Sequence, residues 1–348
     1  MFDDKVDHVY SMGTFRGAAG SLSDTLLKTV QNLKSLKRTA HTPYHILQVS
    51  YIERNTKVRT AATTQYNATW GLGRISHRQK GTSDYVYDGS AGDGTCSFII
   101  DTGIYTDHPE FEGRATFLED FSGENKKVDG NGHGTHVAGT VGSKSYGVAK
   151  KTSLFAVKVL GADGSGDSSG VLKGIEFAAM NATARQKAGQ CTKGSVANMS
   201  LGGAYNKAQK DAVKAAIKTG LFMAVAAGND GLPTLFFSPA NEETACTVGA
   251  TDKNDQLASF SNWGSLVDIL APGVDIVSTW NDGKTNSISG TSMATPHITG
   301  LGAYLLGLEK RRDPQALCAR IQDLSTKKKV TNIKPLTKNY LAFNGISS

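Results

Sequence analysis

The sequence predicts an α/β protein of three layers, a mostly parallel central sheet covered by helices on both faces. Three observations carry this. Short apolar runs alternate with segments of helical periodicity along most of the chain, from about residue 97 to residue 324. Such runs are what parallel strands buried on both faces look like. Polar residues suited to chemistry, Asp101, Ser200 and Asn229, follow directly on three of these runs, and functional residues gather at the carboxyl ends of parallel strands. Finally, 39 glycines in 348 residues supply the tight turns and close backbone approaches that many short connections need.

Taken in order, residues 1–60 read as a small separate α+β unit. Ser23 is placed to cap a helix carrying Leu26, Leu27, Val30 and Leu33 on one face. Residues 50–53 fit a short strand, and residues 34–48 between them are basic and patternless. Residues 60–70, rich in Ala, Thr and Asn, read as a linker. The strand Ser97-Phe98-Ile99-Ile100 then leads into Asp101-Thr102-Gly103. A helix is expected from His133, a strand over 154–160, a helix over 171–184 and a strand over 196–199. Helix 208–218 and strand 221–226 follow, then short strands at 267–270 and 276–278. Helices over 292–308 and 314–324 close the chain. There is no internal repeat.

The formal charge is +7. Residues 1–62 hold 9 Lys/Arg against 5 Asp/Glu, and the remaining 286 hold 29 against 26. No basic block is interleaved with aromatic residues, so nucleic acid is not an expected partner. No run of about 18 apolar residues exists, so no membrane span is expected. The four cysteines, Cys96, Cys191, Cys246 and Cys318, include no C-x-x-C pair, which disfavours zinc and dithiol redox chemistry. They fit two structural disulfides in an oxidising compartment, with four buried thiols as the alternative. Met1-Phe2-Asp3-Asp4-Lys5 shows no apolar leader, and the expectation is a coding sequence that starts further upstream. Sequons begin at Asn67, Asn181 and Asn198. Asn198 falls on a predicted buried strand, so Asn181 is the expected acceptor.

Three segments carry the chemistry: Ile100-Asp101-Thr102-Gly103, Asn131-Gly132-His133-Gly134-Thr135-His136-Val137-Ala138-Gly139 and Gly290-Thr291-Ser292-Met293-Ala294-Thr295-Pro296-His297. Hydrolysis by a serine needs a nucleophile, an imidazole to take its proton and a carboxylate to orient that imidazole. Each residue alone is unremarkable as a cap or a structural side chain. His133 and His136 lack the H-E-x-x-H context of a metal site. Chain order discriminates among folds: Asp, then His, then Ser excludes the α/β-hydrolase and chymotrypsin orders.

These segments resemble the subtilase family, in particular its proteinase K-like branch, over residues 65–345. The resemblance implies a three-layer subtilase fold, with Ser292 as nucleophile, His133 as general base then acid, and Asp101 as its orienting partner. Ala226-Ala227-Gly228-Asn229-Asp230 resembles the family's oxyanion loop, implying the Asn229 amide as a donor beside the Ser292 N–H. Ser200-Leu201-Gly202-Gly203 resembles the segment that pairs with a peptide substrate as an added strand. Ser200, Leu201 and Gly202, with Ala226 and Gly228, would line the primary pocket, and Gly164-Ser165-Gly166 the opposite edge. No carboxylate lies in the lining segments, so apolar residues should be accepted. The resemblance also implies disulfides Cys96–Cys191 and Cys246–Cys318, and a structural Ca²⁺ held by Asp268 with the carbonyls of Glu243 and Ala245.

Two regions depart from the family pattern. Gly231-Leu232-Pro233-Thr234-Leu235-Phe236-Phe237 is apolar where relatives are usually polar. Phe15-Arg16-Gly17 and Tyr51-Ile52-Glu53 resemble the family's inhibitory propeptide, but its first strand is missing and residues 34–48 look inserted. The expectation is therefore a partial propeptide, residues 1–60, ahead of a peptidase domain, residues 61–348, with self-cleavage near Thr60. The expected protein is a secreted, monomeric endopeptidase that cleaves proteins and peptides and is inhibited by its own propeptide. A catalytically silent protein on the same fold is the competing class.

Overall fold

The computed structural model describes residues 5–32, 52–53, 62–309 and 312–346. The chain divides into two compact units, Met1–Thr60 and Ala61–Ser348.

In the first unit, β1 (Lys5–Met12) and β2 (Phe15–Ser21) form an antiparallel hairpin closed at Gly13 and Thr14. Helix α1 (Asp24–Asn32) follows. Its start is the predicted one: the Ser23 hydroxyl accepts from the Leu26 N–H at 3.3 Å, satisfying one of the orphan donors of a helix N-terminus. Strand β1 was not anticipated. Its apolar residues are exposed, so the alternation that marks a half-buried strand is weak. Residues 34–48, read as an insertion, and residues 50 and 51 of the strand expected at 50–53 lie outside the described residues. Ile52 and Glu53 have no regular structure.

The second unit opens with β3 (Ala62–Gln65), α2 (Trp70–Ser76) and β4 (Tyr85–Asp88). Here the linker expectation fails. Thr63 and Thr64 lie on β3, which pairs antiparallel with β4, and β-branched residues suit that role better than a flexible segment. There follow β5 (Thr95–Asp101), β6 (Ala115–Asp120), α3 (His133–Gly142), β7 (Ser153–Lys158), α4 (Ser168–Lys187) and β8 (Gly194–Met199). Next come β9 (Gly203–Ala204), α5 (Lys207–Lys218), β10 (Phe222–Ala226), β11 (Phe237–Ser238) and β12 (Cys246–Thr251). The chain ends with β13 (Ile269–Pro272), β14 (Ile276–Thr279), β15 (Thr285–Ile288), α6 (Thr291–Leu308), α7 (Pro314–Leu324), β16 (Thr326–Lys327) and β17 (Tyr340–Leu341).

Nine strands form the central sheet in the order β16-β17-β13-β12-β10-β8-β5-β7-β6. Only the β16–β17 edge pair is antiparallel. The period of two divides the core. Phe222 and Ala224 of β10 join Val248, Ile269 and the apolar side of α6. Met223 and Val225 join Phe98, Ile100 and the inner faces of α4 and α5. Ile99, on the other face of β5 from Ile100, packs with α3. The result is α3 and α6 on one face and α4 and α5 on the other, the three-layer α/β architecture expected. Both disulfides form as expected, Cys96–Cys191 with Cα atoms 5.2 Å apart and Cys246–Cys318 at 5.8 Å.

Candidate active site

Asp101 is the last residue of β5 and is fully buried. His133 is the first residue of α3. The strand end and the helix start bring them together: His133 Nδ1–H donates to Asp101 Oδ1 at 2.7 Å. The same oxygen accepts the Thr102 N–H at 2.8 Å. This fixes the imidazole with Nδ1 protonated and Nε2 as the basic nitrogen. The His133 side chain stays 24% exposed, so it can still reach a substrate. Burial alone would lower its pKa. The charge and hydrogen bond of Asp101, with a smaller contribution from Asp129, outweigh that and raise it above the ordinary imidazole value.

Gly132, which caps α3, has φ +107°. A Cβ there would also stand 2.5 Å from the Trp280 ring, so both backbone and space demand glycine. The turn is held by Asp129, a buried carboxylate. Its Oδ1 accepts from the Thr102 hydroxyl, the Asn131 N–H and the Gly132 N–H at 2.8, 3.0 and 2.8 Å. Its Oδ2 accepts from the Thr135 N–H and hydroxyl at 2.9 and 2.6 Å. The sequence reading missed Asp129, which lies three residues before the N-cap Gly132 and so outside the positions where a capping signal is read. It also missed Lys158. That side chain is fully buried and donates to the Thr102 and Leu160 carbonyls at 2.9 and 2.7 Å, with Glu124 Oε2 3.2 Å away. A lone lysine in an apolar strand was the available signal, since a buried ammonium needs partners.

Ser292 is the second residue of α6. Pro296, four residues on in the same helix, has no N–H, so the Ser292 carbonyl lacks its helical donor. The Ser200 hydroxyl takes that place, donating to the Ser292 carbonyl at 2.7 Å. In return the Ser292 hydroxyl donates to the Ser200 carbonyl at 3.2 Å. Ser200 Oγ in turn accepts from Asn198 Nδ2 at 2.9 Å, and Asn198 Oδ1 accepts from the Thr299 hydroxyl at 2.9 Å. A polar chain thus runs from the end of β8 into α6 and fixes the serine backbone. Asn198 is fully buried, so its sequon is not accessible in the folded chain.

Asn229 follows β10. Its Oδ1 accepts from the Thr291 N–H and hydroxyl, both at 2.8 Å, which turns its NH₂ to the opposite side. A Cβ built on Gly290 would lie 3.5 Å from Asn229 Nδ2 and 3.6 Å from the Ser292 nitrogen. The two donors therefore converge on one small volume, which glycine at 290 keeps clear. The Ser292 N–H belongs to the first helical turn, whose N–H groups have no helical acceptor. Convergent free donors of this kind are what an oxyanion needs.

A groove of about 570 Å³ is lined by His133, Leu160, Gly164, Gly166, Ser200, Leu201 and Gly202, among others. The two substrate edges expected from the sequence thus face the same space as the imidazole. No lining residue carries a carboxylate. Ala226 and Gly228 are not among the lining residues. Ala226 is buried at the end of β10, and the Gly228 N–H donates to the Thr291 hydroxyl at 3.2 Å.

The Asp268 carboxylate expected to hold Ca²⁺ is taken up by protein donors. Asp268 Oδ1 accepts from Lys338 Nζ at 2.9 Å and from Gln322 Nε2 at 3.0 Å, and Oδ2 accepts the Thr247 N–H at 3.0 Å. Both oxygens are engaged, one of them by a cation.

Comparison with known proteins identifies the family. The subtilase family profile aligns with residues 92–337. The chain is 52% identical over 343 residues to a cuticle-degrading protease of Metarhizium anisopliae, covering 98% of this chain and 83% of that protein. It is 54% identical over 298 residues to Proteinase T of Parengyodontium album, covering 86% of this chain and 99% of that one. Among solved structures, a cold-adapted subtilisin-like serine proteinase superposes with TM-score 0.75 at 40% identity, over 81% of this chain and all of that one. With a family profile across most of its length, and half its residues shared with named proteases, the chain belongs to the subtilase family of serine endopeptidases.

Proposed function

We propose that Asp101, His133 and Ser292 carry the endopeptidase chemistry on protein substrates of broad, apolar-leaning sequence. The observation that carries this is the 2.7 Å Asp101–His133 hydrogen bond at a groove whose Ser200 carbonyl lies 3.2 Å from the Ser292 hydroxyl. A peptide would lie extended between residues 164–166 and 200–202, adding a strand between two backbone edges. The Ser292 hydroxyl would turn from the Ser200 carbonyl to His133 Nε2, and Oγ would attack the peptide carbonyl carbon as Nε2 takes the proton. Asp101 stabilises the resulting imidazolium. The tetrahedral oxyanion would be met by the Ser292 N–H and the Asn229 NH₂. His133 then returns the proton to the leaving amine, and water repeats the sequence on the acyl-serine. Leu160, Val171 and Leu201 in the lining, with no carboxylate among them, support acceptance of apolar side chains.

Fluorophosphonate labelling tests the assignment. The chain should be labelled, and Ser292→Ala should fold without taking label. An unlabelled parent chain would leave the silent-protein reading. Because His133 is held above its ordinary pKa and must be neutral to act as base, the acid limb of kcat/KM should lie above the usual imidazole range.

The reading extends to maturation and secretion. Residues 1–60 act as a partial inhibitory propeptide. The two-unit division and the alignment of 343 residues with a single protease support this. Among the described residues this unit is a two-stranded hairpin and one helix, and such a hairpin is marginal by itself, so yield of mature enzyme should be low and should rise with an intact family propeptide in trans. Cleavage near Thr60 falls outside the described residues. N-terminal sequencing of the active product reads it, and Ser292→Ala should remain uncut. Two disulfides fit an oxidising compartment, and no helix among the described residues is long and apolar enough to cross a membrane. In a secreting host Asn181 should carry glycan and buried Asn198 none, as peptide mapping would report.

A further inference from the structure

We propose that the Asp268 corner is a calcium-independent tether, in which the Lys338 ammonium permanently fills the position of a divalent cation. The argument is independent of the catalytic reading. Asp268 stands at the entry to β13, and its own N–H donates to the Thr247 carbonyl of β12 at 2.9 Å. Its carboxylate gathers three separate pieces of chain: Thr247 of β12 on Oδ2, and Gln322 of α7 and Lys338 of the C-terminal segment on Oδ1. Gln322 Nε2 also lies 3.2 Å from the Asp268 carbonyl. The acid is 18% exposed and the lysine 37%, so the pair is shielded more than an ordinary surface pair is.

A Ca²⁺ ion needs six to eight oxygen ligands, usually with more than one carboxylate. Among the described residues, the one cluster of His, Cys, Asp and Glu ligand atoms is Cys246, Asp268 and Cys318. Its two sulfurs are joined in a disulfide and cannot act as thiolate ligands. The Glu242 carboxylate is not part of that cluster, and its Oε1 accepts from the Thr244 N–H and hydroxyl at 3.1 and 2.7 Å. A divalent ion would therefore find one carboxylate, its Oδ1 held by a cation and an amide, and would have to expel Lys338 against like charge. The lysine supplies the positive charge from within the chain. It does so next to the Cys246–Cys318 bridge, where covalent and ionic links together fasten α7 and the C-terminus to the sheet.

The test uses the full chain inactivated by Ser292→Ala, melted in excess chelator and in millimolar calcium. The parent Tm should agree in the two buffers to within about 1 °C. Lys338→Met, which keeps the apolar stem, should melt about 3–6 °C lower in chelator. It should show no calcium-dependent rise, because a single carboxylate still accepting from Gln322 and the Thr247 N–H falls short of the oxygen ligands Ca²⁺ needs. Lys338→Arg keeps the charge and should show no calcium response. A calcium-dependent rise in the parent that vanishes in Asp268→Asn would overturn the proposal. A rise that persists in Asp268→Asn comes from elsewhere and upholds it. Lys338→Met with a parental Tm in chelator would also overturn it, since the ammonium would then be holding nothing.

Discussion

Removing the Ser200 hydroxyl should disable the enzyme through the main chain of Ser292, and the structure specifies how to reverse the damage. Pro296 deprives the Ser292 carbonyl of its helical donor, and Ser200 Oγ–H supplies the replacement at 2.7 Å. Ser200→Ala orphans that carbonyl and the Asn198 Nδ2–H that donates to Ser200 Oγ. Each buried group left unpaired costs about 1–3 kcal/mol, so the pair should cost about 4 kcal/mol, roughly an 8 °C fall in Tm for a unit of this size. With the serine backbone less well held, kcat should fall about tenfold to a hundredfold with KM little changed. Pro296→Ala restores an N–H four residues from the Ser292 carbonyl. In the Ser200→Ala background it should recover about half the lost stability and part of kcat. The assay is a double-mutant cycle, with thermal melts on chains inactivated by Ser292→Ala, which keeps the main-chain carbonyl, and kinetics on the active ones. The cycle cancels the effect of removing proline on the unfolded chain. If the two substitutions add to within about 0.5 kcal/mol, the carbonyl is not what Ser200 serves and the reasoning fails.

Asn229→Ala should lower kcat by about 10²–10³ with little change in KM, the general cost of losing one oxyanion donor, a magnitude established on a subtilisin. An unchanged kcat would show that the NH₂ does not face the developing charge. Replacing either cysteine pair by alanines should cost about 4–5 kcal/mol in the chain-entropy treatment, given sequence separations of 95 and 72. A fall in denaturant midpoint worth less than about 1 kcal/mol would contradict this. His136 and His297 are buried and neutral, with burial lowering both pKa values to about 4. Their ring N–H groups donate to the carbonyls of Ile276 and Met293. Between pH 6.5 and about 4 the unfolded chain binds protons that the folded chain refuses. Stability should thus be full above pH 6.5 and fall by about 3 kcal/mol per histidine as the pH drops to 4. His133 has the opposite sign, its raised pKa adding stability below pH 6.5 that is lost as the pH rises through the folded value. NMR titration of the imidazoles separates the three, and a midpoint near 6.5 for His136 or His297 would refute the burial argument.

The sequence by itself determined the peptidase fold and family, and singled out the candidate chemical residues. The strands that form the sheet centre are buried on both faces, so their apolar runs and the helices between them could be read without a structure. Asp101, His133 and Ser292 were legible because glycine-flanked motifs in a fixed chain order leave few alternatives. The edges were less legible. Strands β1 and β3 carry no sustained apolar alternation, and a pairing made mainly by backbone hydrogen bonds leaves little mark on side-chain choice. Tertiary structure alone decided how each polar group is used. Nothing local in Pro296 or Ser200 announces that one frees a carbonyl and the other caps it across 92 residues. Asp129 looks like any loop acid until five donors close around it. The family resemblance implied a calcium ligand at Asp268, while its partner in space is Lys338, 70 residues away. Local pattern records which face of an element is buried. The partner of a charge or an orphaned carbonyl is fixed only when distant segments are brought within about 3 Å.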